Sequence, residues 1–417
     1  MPIHSRNSRL PSLLLAALLS LSSGAQAHDD EHAVVPDTAG GRLRAQVVLA
    51  QLNASELLPS QGLPGLLMRG DPGVDQRGGQ LEHGVLAAGW RFNPAWSAEL
   101  AVGAHGRDPS HLEAASLRWQ QQRGALAWSL ALGRQSPAQG PVIGPAGHLD
   151  RFGLMPLAKA AQTDGDWIAD GLQASLQLPL AGLDWRADLG LWSGRGVPGR
   201  MFPAGQDSPV APSLHLGLSG DGAWGDWALD AFAADIQVRS RGSRFISSSG
   251  AHSHQAPACD TALNQVVCFD GDARLRGLSA QWRSAPLPLS VSAALLWRNE
   301  SGDLQSRNGQ GSYRGRNRGG WLQALWQLAP AWEAGLRHER LSARQALIGP
   351  GANLLALDAG LDRYAPLQRS SLMLAWRCAD QATLYLEAGQ ERADANGGQR
   401  SSYTAVRLAL SWERGEH

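Results

Sequence analysis

Outside its extreme N-terminus the sequence has no run of ~18 apolar residues, which excludes a bundle of membrane-spanning helices. It has no excess of either charge, with 37 Lys+Arg against 37 Asp+Glu, and Lys159 is its only lysine. A protein that grips nucleic acid by its phosphates needs a basic surplus, so that class falls away. No Gly-x-Ser-x-Gly occurs, so the nucleophile elbow of the α/β hydrolases is missing. Cysteine is limited to 3. What is abundant is glycine, at 49 of 417 about 12% against the usual ~7%, and tryptophan, at 16, within an ordinary hydrophobic fraction of 43%. Such a chain is not disordered, and if it enters a bilayer it does so as strands.

The N-terminus has its own character. Met1 to Arg9 carries Arg6 and Arg9 with no acid, Leu10 to Leu21 is apolar and rich in Leu, Ala and Ser, and Ala25-Gln26-Ala27 is a small-x-small cleavage site. These are the parts of a secretory signal peptide over residues 1–27. Removing it leaves 390 residues and takes away two arginines, so the mature chain is nearly neutral. A polar segment, 28–40, follows and opens with His28-Asp29-Asp30-Glu31-His32. Cys259 and Cys268, nine positions apart in a polar segment of an exported chain, are expected to form a local disulfide. Cys378 lies in an apolar alternating stretch and reads as a buried or lipid-facing thiol.

Period-two alternation recurs in segments of about ten residues, the length of a tilted membrane-spanning strand. In Leu372-Met373-Leu374-Ala375-Trp376-Arg377 one face carries Leu, Leu and Trp and the other Met, Ala and Arg. Marking every such segment gives sixteen strands between residues 41 and 412, with 413–417 as a short tail. Connections alternate between short turns, such as Asn93-Pro94-Ala95 and Ala329-Pro330-Ala331, and longer loops, including 135–167, 240–272, 300–317 and 344–367. This is the pattern of an all-β, antiparallel, up-and-down transmembrane barrel with both termini on the short-turn side. Twelve of the 16 tryptophans fall near a short turn or the last strand end, and Trp167, Trp192, Trp297 and Trp321 fall near the opposite ends, as two aromatic girdles would. A soluble sandwich or propeller with core tryptophans would explain neither the clustering nor the loop alternation.

With sixteen strands, alternating connections and a long loop after the fifth strand, the chain resembles the outer-membrane porins, general and phosphate-selective. The resemblance implies that the third loop folds into the lumen, and here Gln135 to Trp167 is the longest connection. The stretch Arg134 to Gly140, continuing through Gly147-His148-Leu149-Asp150-Arg151-Phe152, is similar to segments of the phosphate-selective relatives. Family members usually end on an aromatic residue, whereas here Trp412 is followed by five more. The resemblance further implies an outer-membrane location, a homotrimer, passive diffusion of small hydrophilic solutes, no cofactor and no catalytic site.

Phasing each strand by its apolar face turns Arg44, Arg91, Arg118, Arg186, Arg283, Arg298, Arg337, Arg377 and Arg407 inward with Glu99, Asp188, Glu333, Glu339 and Glu387. More bases than acids in a wetted pore predict a modest anion preference, although Glu333, Arg337 and Glu339 also have the spacing of an ion-pair ladder. Asp150, Arg151, Lys159, Asp164 and Asp166 bring charges of both signs to the third loop, and with Arg186, Arg337 and Arg407 they are the candidate constriction. His28 and His32 are weak metal candidates, as are His252 and His254 beside Cys259. A barrel enzyme, or a structural or adhesive barrel without a conducting pore, is the alternative.

Overall fold

The computed structural model describes residues 34–63, 66–67, 77–106, 110–147, 150–163, 167–193, 210–244, 266–363, 366–394 and 398–416. The signal peptide, His28, His32, Asp164, Asp166, His252, His254 and Cys259 lie outside them. Sixteen antiparallel strands form one closed barrel: β1 (Gly40–Ala54), β2 (Gly78–Asn93), β3 (Trp96–Ala104), β4 (His111–Arg123), β5 (Leu126–Gln135), β6 (Ala169–Leu180), β7 (Leu183–Ser193) and β8 (Val210–Gly220). The second half is β9 (Gly225–Arg244), β10 (Val266–Ser284), β11 (Leu289–Ser306), β12 (Gly309–Ala329), β13 (Trp332–Ile348), β14 (Leu367–Ala379), β15 (Ala382–Ala393) and β16 (Gln399–Glu416). Each strand pairs with its neighbours in the chain, and β16 closes on β1.

Alternation sets which side is which. On β14, Leu372 is 63% exposed while Met373 and Ala375 are buried. The same outward apolar face recurs in Leu86, Leu132, Leu189, Leu278, Leu322 and Leu336, all exposed. A belt of this kind is stable only against lipid, since water would penalise every one of these side chains.

Trp90, Trp96, Trp185, Trp224, Trp326, Trp332, Trp376 and Trp412 are exposed on the outer face near the short turns, and Trp332 stacks on Trp376 at 5.7 Å. The second girdle needs correction. Trp167, Trp192 and Trp321 are buried inside, the first two in an apolar cluster with Phe232, Ile236, Phe269 and Tyr313.

Three boundaries also differ from the alternation pattern. β11 and β12 continue through 300–317 to a tight turn at Arg307-Asn308, where a loop was expected. β13 runs to Ile348, and a short helix, Ala352–Asp358, follows it. β16 includes Glu413–Glu416, with Gly41 opposite Glu416 and an Arg42–Glu413 ion pair of 3.3 Å across the seam, so these residues are strand and not a tail. Polar residues here carry no lipid-facing signal because they project beyond the apolar belt, yet backbone pairing carries on. Before β1, Val34 is fully buried against the inner wall with Val85, Ala87 and Ala101, and Arg91 Nε donates to the Pro36 carbonyl at 2.6 Å.

Candidate pore constriction

The described residues of the connection between β5 and β6, 136–147, 150–163 and 167–168, lie inside the barrel. The connection enters through a four-residue helix, α1 (Gly140–Ile143), and carries a second, α2 (Leu157–Thr163). Gly140 has φ +82°, and a Cβ there would stand 2.7 Å from the Asp230 carboxylate carbon, so only glycine fits. Pro141 supplies a pre-set first helical residue.

The apolar side of the loop packs on the wall. Val142 and Ile143 meet Ala294, Leu296 and Trp321; Leu157 and Ala161 meet Leu341, Ala343 and Leu367; Phe152 meets Met373, Ala375 and Tyr385. Lys159 is 1% exposed and donates to the Gly144 carbonyl at 2.7 Å, tying α2 to the end of α1.

Wall charges then fasten the loop backbone. Arg337 donates to Asp150 Oδ2 at 2.9 Å, to Glu339 at 3.0 Å and to the Leu154 carbonyl, with its guanidinium 4.4 Å above the Phe152 ring. Arg369 pairs with Glu339 at 2.9 Å and donates to the Met155 carbonyl. Arg407 reaches the Asp150 and Arg151 carbonyls at 3.0 and 3.3 Å, and Glu82 accepts from it through both carboxylate oxygens at 2.5 Å. Arg298 holds the Gln162 carbonyl at 2.7 Å and Glu300 at 2.9 Å. In the other direction, Glu339 accepts from Leu157 N and Glu387 from Gly153 N, both at 2.7 Å. Arg337, Arg369 and Arg407 are each held by several acceptors, and a network of this kind holds one geometry.

Of the candidate constriction residues, Asp150, Arg151, Lys159, Arg337 and Arg407 are brought together here. Asp164 and Asp166 lie outside the described residues. Arg337 and Arg407 are 0% and 2% exposed, covered by the loop, where alternation alone aims them at the water path. Arg337 pairs with Glu339, whereas Glu333 leaves that ladder and takes Arg151 at 2.8 Å. Burial acts to lower the Arg151 pKa, and Glu333 and Tyr385 outweigh it, leaving it above the usual guanidinium value. Arg186 sits apart, on a chain in which Asp188 accepts at 2.9 Å from Arg186 and lies 2.8 Å from His215, which in turn lies 2.9 Å from Asp230.

Across the lumen from the loop, β1 to β4 carry a different set. Arg44, Arg91 and Arg118 face inward, partly exposed, with Glu99, and among the described residues no carboxylate pairs with any of the three arginines. Cys268 is buried and disulfide-bonded, and Cys378 is a free, exposed thiol.

Alternation did not single out Glu82, Arg369, Glu391, Glu300 or Asp230. Arg369 and Glu391 lie on inward faces of expected strands and were readable by the same rule; Glu300 fell in the stretch 300–317 expected to be a loop, and Glu82 sits where alternation breaks.

Comparison of the whole barrel with solved structures finds the same architecture. The trimer form of OmpT, an outer-membrane protein of Vibrio cholerae, covers 90% of this chain and 100% of its own at 10% identity, with a TM-score of 0.52. The anion-selective porin from Comamonas acidovorans covers 89% and 98% at 10% identity and a TM-score of 0.51. Salmonella typhi OmpF covers 90% and 98% at 8% identity and a TM-score of 0.51. The chain has the outer-membrane porin fold. No family model matches the sequence, and no curated protein does either.

Proposed function

We propose that this protein is an outer-membrane porin, a water-filled channel through which small hydrophilic solutes diffuse passively, with a modest preference for anions. The observation that carries the reading is the third loop, held against the inner wall of β9 to β16 by Arg298, Arg337, Arg369 and Arg407. A loop fastened to one side narrows the lumen without closing the opposite side. Solutes then pass the wall that bears Arg44, Arg91 and Arg118, whose charge no paired carboxylate among the described residues cancels, and low-dielectric walls strengthen that field. The inward arginines beneath the loop contribute little to selectivity, being neutralised by Glu82, Glu300 and Glu339. A homotrimer in the outer membrane accompanies this reading.

Planar-bilayer recording under a salt gradient tests it. Purified protein should conduct, with a reversal potential on the anion side, and Arg91→Glu with Arg118→Glu should move it towards cations, each swap changing the lumen charge by two units. Barrels that insert repeatedly without conducting would refute the channel and favour an anchoring or enzymatic barrel. Selectivity that stays put through both swaps would refute the arginine account alone.

A further inference from the structure

Three histidines and one glutamate from three elements converge on the inner wall at the long-loop end of β2, β3 and β4. His83 lies on β2, His105 in the connection after β3, and His111 and Glu113 at the start of β4. Glu113 Oε1 is 2.9 Å from His83 Nε2, 3.5 Å from His111 Nε2 and 3.7 Å from His105 Nε2. The Nε2 atoms of His105 and His111 are 3.2 Å apart. The ligand atoms of His83, His105 and Glu113 all lie within 4.8 Å of one another, close enough for one ion to take all three after small side-chain adjustments, while His111 stands beside His105 and Glu113 at the open side.

Local backbone irregularities assemble the group. The pairing of β3 with β4 slips between Ala101 and Val102: Ala114 faces Ala101, Leu112 faces Val102, and Glu113 is the extra residue of a bulge. The bulge buries Glu113 on the same side as Ala114, whereas strict alternation would send one of the two outward. Its carboxylate lies directly over Gly103, where a Cβ would come within 1.7 Å of Oε1. The glycine makes room for the carboxylate. The pairing of β2 with β1 slips beside His83 as well, between Val48 and Leu49.

Imidazole nitrogens from two strands and a connection gather around one oxygen of a buried carboxylate, and a cation shared by His83, His105 and Glu113 fits that gathering. Side-chain exposure rises from 2–3% at Glu113 and His83 to 22% at His105 and 41% at His111, so the group is closed at the wall and open on one side.

We propose that His83, His105 and Glu113, with His111 flanking the open side, form a binding site for a divalent transition-metal cation of the zinc and copper class. Imidazole-rich sets with one carboxylate suit zinc, copper or nickel, whereas calcium and magnesium want oxygen ligands. A bound ion ties the β3–β4 connection to β2 one residue from Glu82, the carboxylate that holds Arg407.

The test uses the full-length mature protein in detergent, purified without a polyhistidine tag. Cobalt(II) titration should fill one site with the intense visible bands of four-coordinate cobalt, and zinc should displace it. His105→Ala and Glu113→Gln should each weaken binding by about 100-fold or more, with heat-modifiability on gels confirming the folded barrel. His28→Ala with His32→Ala should leave that site intact. Absence of binding, binding that survives both wall substitutions together, or binding lost in the N-terminal variant alone would each overturn the proposal.

Discussion

Arg337→Ala is the sharpest perturbation of the third loop. The wild-type side chain is fully buried and serves Asp150, Glu339 and the Leu154 carbonyl at once. Removing it leaves Glu339 with Arg369 and Leu157 N, so that carboxylate keeps partners. Asp150 loses its cation and the Leu154 carbonyl its donor. Breaking one side of a buried ion pair costs about 3 kcal/mol or more, and part of this is felt only while the loop is docked. At ~1.4 kcal/mol per decade, the undocked population should rise by roughly 100-fold.

The sequence provides its own probe. Lys159 is the only lysine, it sits on α2, and its ammonium is buried against the Gly144 carbonyl. A small amine-acylating reagent can reach it only when α2 leaves the wall, and with fast reclosing the labelling rate tracks the open population. Mass spectrometry of the digested protein should show slow labelling of Lys159 in the wild type, with the N-terminal amine as the fast reference. In Arg337→Ala the rate should climb by about 100-fold while the barrel stays heat-modifiable. Rapid labelling of the wild type, or an unchanged rate in the variant, would refute the pinned loop.

Deleting part of Pro141 to Lys159 should raise single-channel conductance, because the loop then no longer occupies lumen cross-section; an unchanged value would mean that another element limits flow. Mass mapping of exported protein should find Cys268 joined to Cys259, a bridge whose loop of about ten residues contributes ~2–3 kcal/mol against local unfolding; two free thiols would defeat that pairing. Trp376→Ala removes the stacked partner of Trp332 on the outer face and should cost about 1 kcal/mol, read as a lower heat-modifiability midpoint; no shift would show that the stack contributes nothing beyond lipid contact.

How far a sequence of this kind discloses its fold follows from where lipid touches it. Leu372 and Trp376 must face hydrocarbon and Met373 and Ala375 must not, so period two was written into β14 and its fifteen counterparts. Beyond the apolar belt that pressure ends: Gly309 to Arg318 and Glu413 to Glu416 are polar on both faces, and only backbone pairing shows that they are strand. Inward charges such as Arg337 and Arg407 were legible by parity, but their roles were not, because their partners are loop carbonyls 183 and 257 positions away that carry no residue signature. Parity itself fails at bulges. Between His83, opposite Val48, and Leu81, opposite Leu49, Glu82 is an unpaired extra residue, and its carboxylate reaches Arg407 on the inner side although its neighbour His83 points inward too. Glu113 repeats the device on β4. An extra residue breaks the alternation of its strand and so hides from any count by two, yet it delivers two adjacent side chains to one face, which is how both the Arg407 clamp and the histidine cluster come to hold a carboxylate. In this barrel the positions where alternation breaks are where the wall acquires chemistry, and a single residue deleted from either bulge should disperse its cluster while leaving sixteen strands closed.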